Sequence, residues 1–383
     1  MTEWNFADQW EMCAEVRDGL PALKHGDDHR SWREVDRNAG GIAKALLGAG
    51  LTKQAKVAQY LYNCNEYLES VFAAFKVGMV PVNTNYRYGD EELTYLFDNA
   101  DAEAVVFHGT FAERLERLLK KLERVRLFLW VDDGTGDCPK WATSYEEAAD
   151  GLSESEDPHV RADWGRSGDD LYFLYTGGTT GMPKGVMWRQ DDLFSLLNGG
   201  SPVPLPEDKG TKGTREMIEG LQSMQPSVLP ACPLMHGTGA FTAFSSLVLG
   251  GCVVTMPGRV FDAEALLRTA EREKVNLVTI VGEAFARPIL GALEDHEHEE
   301  PYDLSNLLGI VSSGVMWSNE TKCELLRHLP HVMLIDAFSS SEALGMGSSV
   351  STAGAEAVTA TFKVGERAKV IDDDGNELPP GSG

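Results

Sequence analysis

Basic residues are scarce in this chain: 34 Lys plus Arg stand against 59 Asp plus Glu, a formal net charge of −25 over 383 residues. Nucleic-acid binding needs lysines and arginines to displace phosphate counterions, and no run of them is present, so a polynucleotide partner is not expected. An anionic small molecule remains compatible, because a pocket or a row of backbone N–H groups can be locally positive under an acidic surface. Cysteine is sparse too. The six, at positions 13, 64, 138, 232, 252 and 323, include no CxxC pair, which excludes a zinc ribbon. In a chain of this size they read as free thiols of a reducing compartment. Long hydrophobic runs are lacking: the best stretch, 241–256, is interrupted by Ser245, Ser246, Gly250 and Gly251 and falls short of the ~20 apolar residues a spanning helix needs. The first fifteen residues mix Trp4, Phe6 and Trp10 with Glu3, Asp8 and Glu11, unlike a secretory signal. A cytoplasmic protein with no integral membrane segment is expected, which makes the Asn319-Glu320-Thr321 sequon incidental. GxSxG is missing, which removes the usual serine hydrolase elbow. The run Asp295-His296-Glu297-His298-Glu299-Glu300 lacks HExxH spacing and reads as a solvated loop.

What is present is an ordinary globular composition, 43% hydrophobic and 24% charged, long enough for two or three packed units. Apolar runs rich in Val, Ile and Tyr alternate with amphipathic stretches, the pattern of an α/β fold. Strands are expected at 57–62, 79–82, 104–107, 170–175, 252–256, 276–281, 307–312 and 332–335. Helices are expected at 66–77, 91–98, 111–122, 262–274, 283–293 and 320–329, with Asp262 as an N-cap. Residues 132–168 read as a loose connection with one helical turn, and 198–226, dense in Gly, Pro and Lys, as an exposed excursion. From Phe362 short alternation ending in Asp374-Gly375 signals a hairpin, with no partner strand after it.

The most informative segment is Tyr175-Thr176-Gly177-Gly178-Thr179-Thr180-Gly181-Met182-Pro183-Lys184-Gly185-Val186, directly after a strand. Glycines let a backbone approach a ligand, threonines add hydroxyl donors, and Lys184 adds a mobile positive charge; a phosphate chain is the natural guest. Walker A is excluded, because Lys184 is preceded by Pro183 and followed by Gly185. The segment closely resembles the phosphate-binding signature of the adenylate-forming enzymes: acyl-CoA synthetases, nonribosomal adenylation domains and luciferases. Gly177 stands where most members have serine. Pro233-Leu234-Met235-His236-Gly237-Thr238-Gly239 resembles the segment bordering the acyl pocket, with His236 near the substrate carboxylate; read alone, a histidine after a strand is more often a packed or capping residue. Ser312-Ser313-Gly314-Val315-Met316 resembles the turn whose backbone faces adenine, though Ser-Ser-Gly by itself is merely a turn. Asp336-Ala337-Phe338-Ser339-Ser340-Ser341-Glu342 resembles the aromatic-Gly-x-Thr-Glu signature. There Asp336 would accept from the adenine amino group, Phe338 stack on the ring and Glu342 hold Mg²⁺. Ser339 replaces the usual glycine and Ser341 the usual threonine.

The resemblance implies the family's large N-terminal domain: two mixed sheets packed with helices in layers and the start of a distorted β-barrel. It divides the chain into a first α/β subdomain, 1–168, a second with the ATP and acyl site, 169–355, and the barrel start, 356–383. It implies a truncated chain without the small C-terminal domain, binding nucleotide weakly and turning over very slowly. Lys184, Glu342 and His236 would be catalytic, with ATP, Mg²⁺ and coenzyme A as reactants and cofactors. Lys184, the Mg²⁺ on Glu342 and the N–H groups of 176–181 would act on one triphosphate. The carboxylate would first be joined to the α-phosphate, then passed to the coenzyme A thiol. Segments 237–246 and 281–290 are apolar with small residues, and the flanks 187–192 and 281–288 look most like actinobacterial fatty-acid and steroid-side-chain CoA ligases. A fatty or sterol-derived acid is expected. Two alternatives stay open: an enzyme that loads a carrier-protein thiol, and a non-catalytic nucleotide-binding remnant.

Overall fold

A computed structural model describes residues 3–178, 181–206, 211–221, 224–296, 301–354, 361–365 and 368–379. The chain divides into two compact units, Met1–Arg259 and Val260–Gly383. Unit one runs α1 (Phe6–Val16), β1 (Pro21–His25), β2 (Asp28–Ser31), α2 (Trp32–Gly48), β3 (Lys56–Tyr60), α3 (Asn65–Lys76), β4 (Val80–Asn83), α4 (Asp90–Asn99), β5 (Ala102–His108) and α5 (Ala112–Leu118). It continues with β6 (Leu127–Val131), β7 (Thr143–Ser144), α6 (Tyr145–Ala149), β8 (Leu171–Gly178), β9 (Gly181–Arg189), α7 (Gln190–Gly199), α8 (Thr211–Gly220), β10 (Ser227–Pro230), α9 (Gly237–Leu247) and β11 (Cys252–Thr255).

Seven of these strands pair in the order β7-β6-β5-β3-β4-β8-β9. All the pairings are parallel except the last, where β9 returns antiparallel along β8. A second set joins β10, β11 and β1 in parallel and adds β2 as a hairpin on β1. Both sets are mixed, in the expected α/β class. The central strands are continuous apolar runs because helices cover both faces: Val57, Ala58, Val80, Val82 and Ala104 to Phe107 are all buried. Helix α1 opens on Asn5, whose side chain accepts from Ala7 and Asp8 N–H, and α2 on a Ser31/Glu34 capping box. The Phe6 ring then meets Phe75, Phe194 and Phe244, and Trp10 meets Phe72, Phe75 and Phe244. Each such side chain stabilises the core by about 1.5–3 kcal/mol through its buried area.

Unit two contains α10 (Ala263–Arg272), β12 (Leu277–Ile280), α11 (Glu283–His296), β13 (Gly309–Ser313), α12 (Asn319–His328), β14 (Met333–Phe338), β15 (Gly347–Ser351) and β16 (Lys363–Val364). Strands β12, β13 and β14 are parallel, and β15 and β16 add on antiparallel. Asp262 caps α10 as expected, its carboxylate accepting from Ala265 N–H at 3.0 Å.

Three segments differ from the sequence reading. The excursion at 198–226 contains α8, with Thr214 and Ile218 fully buried and the Ile218 carbonyl accepting from the Arg17 guanidinium; burial against the core overrides its glycines. The stretch at 132–168 holds its expected helical turn as α6 but adds β7, and it is tied down where Arg161 and Arg166 both bond Glu11. The turn at Asp374-Gly375 does have a partner: Ile371 bridges Glu377, and Leu378 N–H donates to the Val370 carbonyl at 2.9 Å. Strand β8, the expected opening of a second subdomain, hydrogen-bonds to β4 inside unit one. All six cysteines are free. Among the described residues no helix is long and apolar enough to cross a membrane.

Candidate active site

The glycine-rich segment, read from sequence as a loop, forms the arms of the β8–β9 hairpin, in which Thr176 pairs with Lys184, Tyr175 with Gly185 and Gly178 with Gly181. Threonine and valine favour a pleated strand, and extended backbone carries the segment further than a loop reading allows. Directly opposed residues of an antiparallel pair point to the same face, and every second residue joins them. Thr176 and Lys184 therefore share the face of Leu174–Val186 and Tyr172–Trp188. That face packs against α9: the Phe241 ring lies 6.3 Å from Tyr172 and 6.5 Å from Trp188, and a Cβ on Gly237 would sit 3.1 Å from Leu174 Cδ2. The alternation thus places a hydroxyl and an ammonium at the end of the hairpin face where α9 begins. Lys184 is exposed, and its ammonium has no partner among the described residues. A Cβ on Gly177 would meet nothing within 4 Å, so packing does not require glycine at that departure from the family pattern. Thr179 and Thr180 lie outside the described residues.

His236 precedes α9 as its N-cap residue, with its own N–H bonded to the Pro233 carbonyl at 3.1 Å. No side chain caps this helix, so the first-turn N–H groups carry partial positive charge beside the imidazole. The ring reaches solvent but is densely surrounded by protein, and this desolvation first, with the Arg87 guanidinium second, moves its pKa below the ordinary histidine value. It is neutral at neutral pH. Two asparagines that the sequence reading passed over hold this segment. Asn83, ending β4, bonds both Tyr175 and the Met235 carbonyl, and Asn63 accepts from Leu234 N–H at 2.7 Å while donating to the Cys232 carbonyl at 3.1 Å. A polar residue closing an otherwise apolar strand, as in Val80-Pro81-Val82-Asn83, was the available signal.

In unit two the parallel register does the assembling. Ser312 pairs with Asp336 and Ser313 with Ala337, so the turn Ser313-Gly314-Val315 and the run Asp336-Ala337-Phe338 emerge side by side at the carboxyl ends of β13 and β14. Ligands of parallel α/β sheets bind outside such strand ends. Val315 and Phe338 are exposed at 59% and 51%, and the Phe338 ring leans on Phe362 at 5.2 Å. Asp336 is already engaged: Oδ1 accepts from the Trp317 indole at 2.5 Å and Oδ2 from the buried Lys322 ammonium at 2.6 Å. Its carboxylate anchors the sheet, a role the sequence reading missed along with both partners. Ser339, standing for the usual glycine, accepts from Gly345 N–H at 3.1 Å and has no positive φ, so the substitution is accommodated without strain. Ser340 Oγ accepts from Ala343 N–H at 3.2 Å, closing a turn around the half-buried Ser341 and the exposed Glu342. The Glu342 carboxylate is exposed, with no partner among the described residues.

The small residues of the expected acyl segments have another explanation. A Cβ on Gly239 would lie 2.6 Å from the Pro233 carbonyl oxygen, and one on Gly282, at φ +58°, 2.5 Å from the Val315 carbonyl oxygen. Backbone fills the space that glycine leaves, so these positions do not argue for a bulky substrate.

Comparison with known proteins gives four findings. A medium/long-chain-fatty-acid–CoA/3-oxocholest-4-en-26-oate–CoA ligase of Mycobacterium marinum is 34% identical over 385 residues, covering 99% of this chain and 68% of the relative. A 3-oxocholest-4-en-26-oate–CoA ligase of Rhodococcus rhodochrous is 34% identical over 387 residues with the same coverage. Among solved structures, the anthranilate CoA ligase AuaEII in complex with anthranoyl-AMP superposes with a TM-score of 0.80 at 19% identity, over 99% of this chain and 67% of that one, and shows the fold alone. The family described as AMP-binding enzyme matches residues 10–383, and with these relatives it establishes that the chain belongs to the AMP-binding enzyme family.

Proposed function

We propose that the protein activates a hydrophobic carboxylic acid, of the fatty or sterol-derived class named for its relatives, to an acyl-adenylate and then to a coenzyme A thioester. The observation that carries this reading is the Thr176–Lys184 pair on the hairpin face that meets the start of α9 beside His236, in a chain of this family.

A carboxylate and a triphosphate repel each other. Lys184 offsets that repulsion, and the Thr176 hydroxyl with the glycine backbone of 177, 178 and 181 supplies further donors to phosphate oxygen. The acid's oxygen attacks the α-phosphorus, the α–β bridging bond breaks, and pyrophosphate leaves with both electrons of that bond. Neutral His236 can donate an N–H to the acid without holding it as an ion pair, and the α9 N-terminus stabilises the same negative charge. Within unit two, taken by itself, Phe338, Ser313, Gly314, Val315 and the 336–341 backbone offer a surface suited to an adenine ring. The thiolate of coenzyme A then attacks the acyl carbon and AMP departs.

Glu342 would hold Mg²⁺. Its donor chemistry fits: an exposed, unpartnered carboxylate suits a hard cation that keeps several waters and shares phosphate oxygens, and no cluster of three potential ligands exists among the described residues. When bound, the ion supplies charge neutralisation of the phosphates. The test is pyrophosphate release from the 383-residue chain at high enzyme concentration, with fatty and steroid acids offered in turn, followed by coenzyme A. Acid-dependent release and a CoA-dependent thioester are expected. Release without a thioester, relieved only by a carrier-protein thiol, would replace the second step. No release with any acid, together with ATP binding, would leave a nucleotide-binding remnant.

A further inference from the structure

Asn83 is 2% exposed and its amide is used in three directions. Nδ2 donates to the Tyr175 carbonyl oxygen at 2.9 Å and to the Met235 carbonyl oxygen at 2.5 Å, while Oδ1 accepts from Tyr175 N–H at 2.5 Å. Tyr175 immediately precedes Thr176, and Met235 immediately precedes His236. One side chain at the end of β4 therefore ties the base of the phosphate hairpin to the residue before the histidine. Two donors and an acceptor on one short planar group are available only from an amide. Aspartate of the same shape would turn acceptors toward two carbonyl oxygens, and leucine would leave three buried backbone groups unpaired.

We infer that Asn83 is a positioning residue for acid activation, setting the distance between Thr176–Lys184 and His236. Its kinetic consequence rests on the proposed function; its structural consequence rests on the hydrogen bonds alone. A reacting group misplaced by about 1 Å loses on the order of 10²-fold in rate, which is the size of effect the clamp guards against.

The experiment compares the 383-residue chain with Asn83→Ala and with the isosteric Asn83→Asp, which serves alone where alanine prevents folding. Two readouts are taken: peptide-resolved amide exchange, and the kcat of pyrophosphate release across pH. In the variants, exchange rises together in the peptides covering 175–177 and 235–239 while β5 and α2 stay protected. Asn83→Ala lowers kcat by roughly 10- to 100-fold. Asn83→Asp recovers rate as pH falls, because the neutral carboxyl O–H can donate to one carbonyl, and loses it as the carboxylate forms; a merely structural role moves stability but not this profile. Exchange that rises in only one of the two peptides, or in neither, overturns the inference, as does an Asn83→Asp variant with the wild-type rate and pH profile. Failure of the wild-type chain to release pyrophosphate with any acid sinks the functional proposal, and amide exchange then decides the clamp by itself.

Discussion

Lys184 and Glu342 are exposed charged residues whose side chains have no partner among the described residues. A charge that pairs with nothing contributes little to the fold, so under the proposed function its loss falls on activity. Lys184→Ala is expected to lower kcat for pyrophosphate release by about 10²- to 10³-fold, the usual range for a preorganised charge in the transition state. Glu342→Gln is expected to raise the Mg²⁺ concentration needed for half-maximal rate while thermal stability stays put; an unchanged Mg²⁺ titration would remove the metal role. His108 makes the opposite case. It is 6% exposed, its Nδ1 accepts from Tyr62 N–H, and burial, partly opposed by Asp133, pushes its pKa down to about 4. Between pH 6.5 and about 4 the unfolded chain binds a proton that the folded one refuses, so stability falls as pH drops through that window. The gap corresponds to roughly 3 kcal/mol. Urea unfolding of His108→Gln should show a shallower loss over the same window, and curves parallel to wild type would refute the assignment.

Among the elements, the charged seam joining α1, α2 and α3 carries the sharpest prediction. Lys76 is fully buried and donates to Glu11 at 2.8 Å, Asp36 at 2.6 Å and the Pro158 carbonyl at 3.0 Å. Glu11, although burial opposes its ionisation, is held down at about 2 by Arg161, Lys76 and Arg166. Lys76→Met keeps the volume but leaves buried Asp36 only His159 as an ion-pair partner among the described residues, while Glu11 keeps Arg161 and Arg166; the change is expected to cost roughly 3 kcal/mol in denaturant unfolding, since removing one member of a buried pair leaves its partner undercompensated. Much of this architecture was legible in the sequence. The strands at 57–62 and 104–107 and the helix at 66–77 lie within a residue or two of β3, β5 and α3, because a continuous apolar run and a 3.6-residue period are local signals. Helix α8 was not legible, because its only strong anchors, Thr214 and Ile218, are set by packing against a helix two hundred residues away. The candidate site divides the same way. Its proposed ligand-facing residues lie in short motifs that a sequence displays directly, whereas Asn83, Asn63, Trp317 and Lys322 work through partners distant in sequence or through burial. At Asp336 the motif gave no sign of the partners its oxygens have in the fold, Lys322 and Trp317.

At the scale of the whole molecule the dominant fact is the charge of −25 facing polyanionic substrates. Under the proposed function a nucleotide triphosphate approaching this surface is repelled at long range and attracted close to Lys184 and the backbone donors. The two forces respond differently to salt. Long-range repulsion between exposed charges is screened once the Debye length falls to about 10 Å near 0.1 M, while contacts made at hydrogen-bond distance are screened much less. Raising ionic strength from about 10 mM to about 100 mM with a neutral-pH monovalent salt is therefore expected to lower the KM for ATP and raise its association rate, with kcat nearly constant. Proteins that grip phosphates with a basic surface show the reverse, weakening steadily with salt. The measurement is stopped-flow binding of a fluorescent ATP analogue along a salt series. Monotonic weakening from the lowest salt would mean that a local basic surface, and not the net charge, governs approach, and would shift the search for nucleotide-binding residues from the hairpin backbone to arginines such as Arg87 beside His236.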